Sequence, residues 1–409
     1  MLDYLIIGGG ITGVTLGRLL QKKGINNFLI IEKESEAGGL CKTKKINNHY
    51  LDTGGGHFLC SKHQEVYDFI FSHIPESEFN YFERISKIRL ENNIIDYPIE
   101  SNLWQLPEKQ LVKFLLSAIR SGESLGGKEP DNYEQWCVWK LGTEISDKYM
   151  IPYNRKIWGV LPSEMDIDWL YKIPKINTEE ILLSSLLKFS DKEKMPSHQG
   201  FYYPKSGGFQ RIFDSIYAYV RENTILNEDI TSIEYLGDHW LINNTYEVKK
   251  IINTSPWQSI ANAFIGFDDL KEDIFNLKAS SIVVSLWERE YLHNWHWLYE
   301  PSLEIENHRE FYIHNFAPYS DKSGIYTETN EKRWPGKGNP WKCGESPIYE
   351  HINKYAYPIP TIRRNQHIHS ILNHLRGKNF FGVGRWGEWE YYNSDICILK
   401  AIEFVNNIE

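Results

Sequence analysis

Leu2-Asp3-Tyr4-Leu5-Ile6-Ile7-Gly8-Gly9-Gly10-Ile11-Thr12-Gly13 is the stretch on which the fold turns. Leu2 to Ile7 reads as a buried strand, and Gly8 to Gly13 supplies G-x-G-x-x-G. Val14 to Lys23 continues with helical spacing at Val14, Leu16, Leu19 and Leu20, and a second apolar strand, Phe28 to Ile31, ends in Glu32. Each part has a physical reason. Gly8 makes the tight turn, Gly10 lets the backbone approach a pyrophosphate, and Gly13 lets helix and strand pack closely. The helix N-terminus faces the phosphate charge. Glu32, nineteen residues beyond Gly13 (32 − 13), is placed to accept from a ribose diol. A lone glycine motif is a weak signal, but a complete strand–turn–helix–strand–acid unit predicts a dinucleotide-binding α/β domain.

The remaining composition bounds the partners. The chain has 409 residues, enough for two or three packed units. A formal net charge of −9 and no long basic run argue against a nucleic-acid surface. The apolar start stops after a strand's length, so neither a signal peptide nor a membrane span is expected there. Five cysteines without Cys-x-x-Cys spacing argue against a disulfide framework or structural zinc. A cytoplasmic enzyme is the simplest expectation. Aromatics at 14% suit a pocket for planar or sugar-like ligands, although such rings also fill cores. His367 and His369, two apart, do not share a helix face, and no accompanying carboxylate cluster is apparent, so they and His374 are read as ordinary polar positions, Cys60 as a structural thiol, and Thr327 to Pro340 as an exposed loop or flap.

Further along, Glu36-Ala37-Gly38-Gly39-Leu40 places a second glycine pair after the acidic strand. This resembles the FAD-binding amine-oxidase and mutase superfamily, which points to FAD rather than NAD. Asp52-Thr53-Gly54-Gly55-Gly56-His57 resembles the glycine–histidine loop beside the isoalloxazine in UDP-galactopyranose mutases, with one glycine more than the usual pattern. Arg84-Ile85-Ser86, Tyr97-Pro98, Tyr133-Glu134-Gln135-Trp136, Pro152 to Gly159, Tyr203-Pro204-Lys205-Ser206-Gly207-Gly208, His296-Trp297-Leu298-Tyr299, Arg309 with Asn315, Tyr357-Pro358 and Gly384 to Asn393 follow in the order of that family. The resemblance runs from about residue 4 to about residue 405.

That resemblance implies a flavin-dependent mutase interconverting pyranose and furanose forms of UDP-galactose or a related nucleoside-diphosphate hexose, for cell-surface glycan precursors. It implies attack of the reduced FAD N5 on the anomeric carbon, with NAD(P)H as a candidate reductant. His57, Arg309 and Lys172 fall on its catalytic positions. Tyr97, Glu100, Asn154, Trp158, Tyr299, Tyr357, Tyr391 and Asn393 fall on substrate-binding ones. Gly8, Gly10, Gly13, Glu32, Gly39, Leu40, Gly55, Gly56, His57, Arg84 and Arg385 fall on cofactor-binding ones; Arg84 and Arg385 are expected on the flavin side, and His57 is expected to change charge near neutral pH. Three residues depart from the pattern: Lys172 stands for an arginine and keeps charge without the planar fork, Glu100 for a glutamine, and Asn393 for an acid of the bacterial enzymes. Glutamine donates and accepts, whereas ionised glutamate only accepts. The bland reading of Glu100 is a solvent-facing side chain on a shifted loop.

The expected architecture is a discontinuous FAD-binding domain (1–99, 221–269 and 361–409), a helical substrate and oligomerisation domain (100–195), and a sheet domain (196–220 and 270–360). A homo-oligomer is expected. The rival readings are an FAD-dependent oxidase or dehydrogenase of the amine-oxidase superfamily and a non-catalytic flavin-binding module.

Overall fold

A computed structural model of the chain describes residues 1–174, 176–189, 200–334 and 345–408. The opening strand Leu2–Ile7 lies near the middle of a seven-stranded sheet, parallel to Phe28–Ile31 on one side and to Tyr246–Asn253 on the other. Its alternation explains its apolar sequence. Tyr4 and Ile6 enter one hydrophobic cluster and Leu5 and Ile7 another, so both faces are covered. Thr224–Ile225 extends this sheet beyond Phe28–Ile31. Phe380–Gly382 pairs in parallel with Tyr246–Asn253, and the short strands Ile233–Tyr235 and Trp240–Ile242 complete it. Strands from three distant stretches of chain therefore build this sheet.

A second seven-stranded sheet runs in the order Tyr349–Pro358, Ala279–Glu288, Gly324–Asn330, Arg309–Phe311, Trp297–Tyr299, Ser86–Leu90, Asn93–Asp96. Two expected boundaries shift here. Ser86 to Asp96, placed by sequence in the dinucleotide unit, pairs instead with Trp297–Tyr299 and belongs to the second sheet. Gly200–Pro204 pairs with Phe79–Glu83 in a separate ribbon, while the helix Gln210–Val220 packs on the first helix, Ile11–Lys22. Strand pairing between segments over a hundred residues apart leaves no trace in local pattern. The helical insertion is present as Glu108–Ile119, Tyr133–Ile145, Ile151–Trp158 and Thr178–Leu187.

Thr327 to Asn330, read as the start of an exposed flap, are the buried end of strand Gly324–Asn330. Their polarity is absorbed internally: Trp287 Nε1 donates to Thr327 Oγ1, and Asn330 Nδ2 donates to the Ile157 carbonyl. Beyond it, Glu331–Arg333 of that expected loop form a 3-10 turn, while Pro335 to Pro340 lie outside the described residues, as do 190–199 of the helical and sheet boundaries.

Candidate active site

Two cavities meet above the first sheet. The smaller, about 410 Å³, is lined by Gly8, Gly10, Glu32, Gly39 and Leu40 and roofed by His351 to Tyr355. Gly8 takes φ +104°, a turn that L side chains resist. A Cβ on Gly10 would meet nothing within 4 Å, whereas one on Gly13 would fall 2.0 Å from the Gly8 carbonyl oxygen. Gly10 thus leaves space at the bare N-terminus of helix Ile11–Lys22, and Gly13 serves close packing without lining the cleft. Glu32 is buried and accepts from the Gly9 amide (2.8 Å) and the Glu34 amide (3.0 Å), which fixes its carboxylate at the cleft wall. Open space at a helix N-terminus beside a fixed acid fits a dinucleotide diphosphate and ribose.

The larger cavity, about 710 Å³, gathers all eleven residues expected to be catalytic or substrate-binding: His57, Tyr97, Glu100, Asn154, Trp158, Lys172, Tyr299, Arg309, Tyr357, Tyr391 and Asn393. His57, Arg385 and Ser394 line both cavities. Gly55, Gly56 and Arg84, expected beside the cofactor, line the larger cavity only. Arg84 donates to Tyr299 Oη (2.7 Å) and packs between the Tyr97 and Trp297 rings, because strand Ser86–Leu90 belongs to the second sheet and carries it there. Arg385 donates to the Tyr392 and Ala356 carbonyls and lies 5.7 and 5.5 Å from the Tyr357 and Tyr391 ring centres.

Local structure sets the walls. In helix Ile151–Trp158, Asn154 and Trp158 share a face at i,i+4. Asn154 Nδ2 donates to Tyr133 Oη and the Met150 carbonyl, and its Oδ1 accepts from Trp158 Nε1, so its amide orders the wall. A single π-helical turn, Ser146–Met150, precedes it and presents Tyr149, stacked on Tyr153 at 5.4 Å. Trp158, Tyr357 and Tyr391 meet edge to face at 5.2 to 5.9 Å. Lys172 Nζ lies 3.6 Å from the Tyr391 ring centre and donates to Asn393 Oδ1 at 3.3 Å.

Electrostatics correct two expectations. His57 Nδ1 donates to the Gly55 carbonyl at 2.8 Å, leaving Nε2 as an acceptor. Burial, with Arg385 and Arg309 nearby, lowers its pKa to about 4, so it stays neutral where a charge change was expected. Glu100 does not face solvent. It is 2% exposed at the cavity wall, and burial raises its pKa to about 7. Enclosure, together with Arg385, lowers Lys172 to about 7. Cys60 lines the cavity with its thiol pushed up to about 11 by burial. His367 and His374 pair with Asp273 and Asp269, away from this site.

Several residues at the site carried no flag in the sequence. Tyr153 lies inside a quoted motif and could have been found by helical spacing from Tyr149. Trp297 lies next to a flagged strand position. Glu328 had no such signal: it faces Arg309 directly across two antiparallel strands, and the register is invisible in one sequence.

The fold and the paired cavities define an α/β protein of the Rossmann-containing, two-sheet type, and a family model for the NAD(P)-binding Rossmann-like domain matches residues 6–71. Over the whole chain, the dTDP-fucopyranose mutase of Escherichia coli is 21% identical, covering 98% of this chain and 97% of that protein. The crystal structure of reduced UDP-galactopyranose mutase superposes with a TM-score of 0.87 at 22% identity, covering 99% of this chain and 93% of that one. Cyclohexylamine oxidase from Brevibacterium oxydans shares the fold more distantly, with a TM-score of 0.65 at 13% identity and 99% of each chain covered. The resemblance to nucleotide-sugar mutases and the α/β fold read from the sequence are borne out.

Proposed function

We propose that this protein is an FAD-dependent mutase that interconverts pyranose and furanose forms of a nucleoside-diphosphate hexose. One observation carries the reading: a single cavity collects the eleven residues singled out by the resemblance and shares His57, Arg385 and Ser394 with a cleft suited to a dinucleotide. The cleft residues Gly8, Gly10, Glu32, Gly39 and Leu40 would hold FAD, whose reduced form supplies a nucleophile toward the anomeric carbon. The chain's own residues supply the rest. Arg309, Lys172 and Arg385 offer donors to a diphosphate whose charge grows as the anomeric bond breaks. Tyr299, Tyr357 and Tyr391 add hydroxyl donors along the same wall, and Trp158 with the tyrosine rings excludes water from a sugar in transit. The neutral His57, with Nε2 free to accept, orients a donor beside the cleft without adding charge. That full-length similarity extends to a mutase of a dTDP-sugar as well as to UDP-galactopyranose mutase keeps both nucleotides in the substrate class.

The test incubates dithionite-reduced protein with UDP-galactopyranose, dTDP-fucopyranose and a GDP-hexose and reads products by NMR. Furanose product from one of them, dependent on reduction but consuming no stoichiometric reductant, supports the proposal. Oxygen uptake with an amine or other dehydrogenated substrate, and no furanose, would move the protein to the oxidases whose fold it shares.

A further inference from the structure

Glu328 sits at 0% exposure in the middle of the second sheet. An isolated carboxylate so deep would be very costly, and its surroundings show what it is for. Arg309 donates to its Oε2 through Nε at 3.1 Å and through Nη2. The Gly56 amide donates to Oε1 at 3.0 Å, and His308 Nε2 lies 3.3 Å from Oε2. Burial pushes this acid up, but Arg309 and His308 outweigh it and hold it near 2, so it is ionised throughout the working range. Gly55 completes the fit: it takes φ +98°, and a Cβ there would stand 2.4 Å from Glu328 Oε1. No side chain fits at Gly55, since the carboxylate occupies the space it would need.

We propose that Glu328 is the positioning residue of the site, one carboxylate that fixes both the orientation of Arg309 and the seating of the Gly54–His57 loop beside the dinucleotide cleft. The proposal rests on the mutase reading for what Arg309 and the loop then do. Two of the three guanidinium nitrogens are tied to Glu328, and Nη2 also reaches Tyr357 Oη at 3.2 Å. Nη1 is left without a protein partner among the described residues and can donate to a ligand oxygen. The ion pair cancels the net charge of Arg309, so Glu328 gives up attraction for the anion in exchange for direction.

That exchange has a signature that a merely structural acid lacks. In Glu328→Gln the amide oxygen can still accept from Gly56, but the charge is gone and Arg309 is freed. UDP should bind to the oxidised protein at least as tightly as to wild type, while kcat falls about 10²-fold through lost orientation. Removing a negative charge from beside the cleft should also move the flavin midpoint potential to a more positive value. Glu328→Asp keeps the charge but withdraws it by one methylene. It should keep the wild-type UDP affinity and midpoint potential, and lose at least tenfold in kcat. The proposal is overturned if Glu328→Gln weakens UDP in proportion to its loss of kcat and leaves the potential unmoved. If Glu328→Gln does not fold, Glu328→Asp decides: parallel losses in affinity and kcat overturn the proposal, and a kcat loss alone supports it. The midpoint potential needs neither nucleotide nor turnover. Failure of the mutase reading would therefore appear as absent furanose product with the potential shift intact.

Discussion

Arg309 and Lys172 line the same cavity with the same formal charge but are built in opposite ways. Arg309 rides on a strand, directly across from Glu328, and its guanidinium is paired, oriented and permanently charged. Lys172 ends a short 3-10 turn, Leu170–Lys172, and among the described residues has no carboxylate within ion-pair distance. Instead it lies over the Tyr391 ring, with Arg385 5.5 Å from the same ring centre. One cation has direction with its charge cancelled; the other has charge without a counter-ion and holds it weakly. On the proposed mutase reading, a diphosphate arriving between them would complete Lys172 electrostatically and be aimed by Arg309.

The sharpest way to break this comparison is Arg309→Ala. Turnover should fall about 10²–10³-fold with FAD retained, because an oriented donor to developing charge is lost. Near-normal kinetics would show that the guanidinium does not meet the diphosphate. Lys172 should instead show itself through pH. Its pKa is near 7 in the free protein, and an anionic ligand raises it, so binding takes up a proton above pH 7. UDP affinity should be flat below that pH and then fall by up to about tenfold per unit as pH rises. Lys172→Arg, charged throughout, should remove most of the slope in a calorimetric titration from pH 6 to 8.5. An unchanged slope would assign the titration elsewhere. The smallest effect belongs to Glu100, protonated and able to donate below about pH 7, ionised and only accepting above it. Glu100→Gln should tighten UDP by roughly fivefold at pH 8 and change little at pH 5.5, on the order of one hydrogen bond. Wild type should shift its preference from UDP toward GDP as pH rises, and the variant should not. Identical UDP and GDP affinities in both proteins at every pH would place Glu100 outside the base contacts.

What could be read from the sequence divides along the same line. The dinucleotide unit was legible because its logic is local: strand, glycine turn, helix and acid follow within 31 residues, from Leu2 to Glu32. The cavity residues were legible through ordered short motifs, since each keeps its neighbours. The second sheet was not, because its pairings join Ser86–Leu90 to Trp297–Tyr299 across some two hundred residues. Glu328 suffered most. A Thr-Glu-Thr-Asn run reads as solvated until register places Arg309 opposite it and Trp287 beside it. Charge state was likewise hidden: His57 and Glu100 differ from their expected behaviour because of burial, which no motif reports.

The pairing of Leu2–Ile7 with Tyr246–Asn253 also has a consequence in time. The first strand emerges from the ribosome early, but its partner is made 246 residues later, on the order of ten to fifty seconds at typical synthesis rates. During that interval an apolar strand has one open edge, guarded only by the helix and strand that follow it. The cleft it helps to form is walled by His351 to Tyr355 and by Arg385 to Cys397, so it closes only when the C-terminal segments arrive. Closure of that cleft therefore waits on segments made after Tyr246–Asn253 has already covered the open edge, so the edge is protected before the cleft can enclose anything.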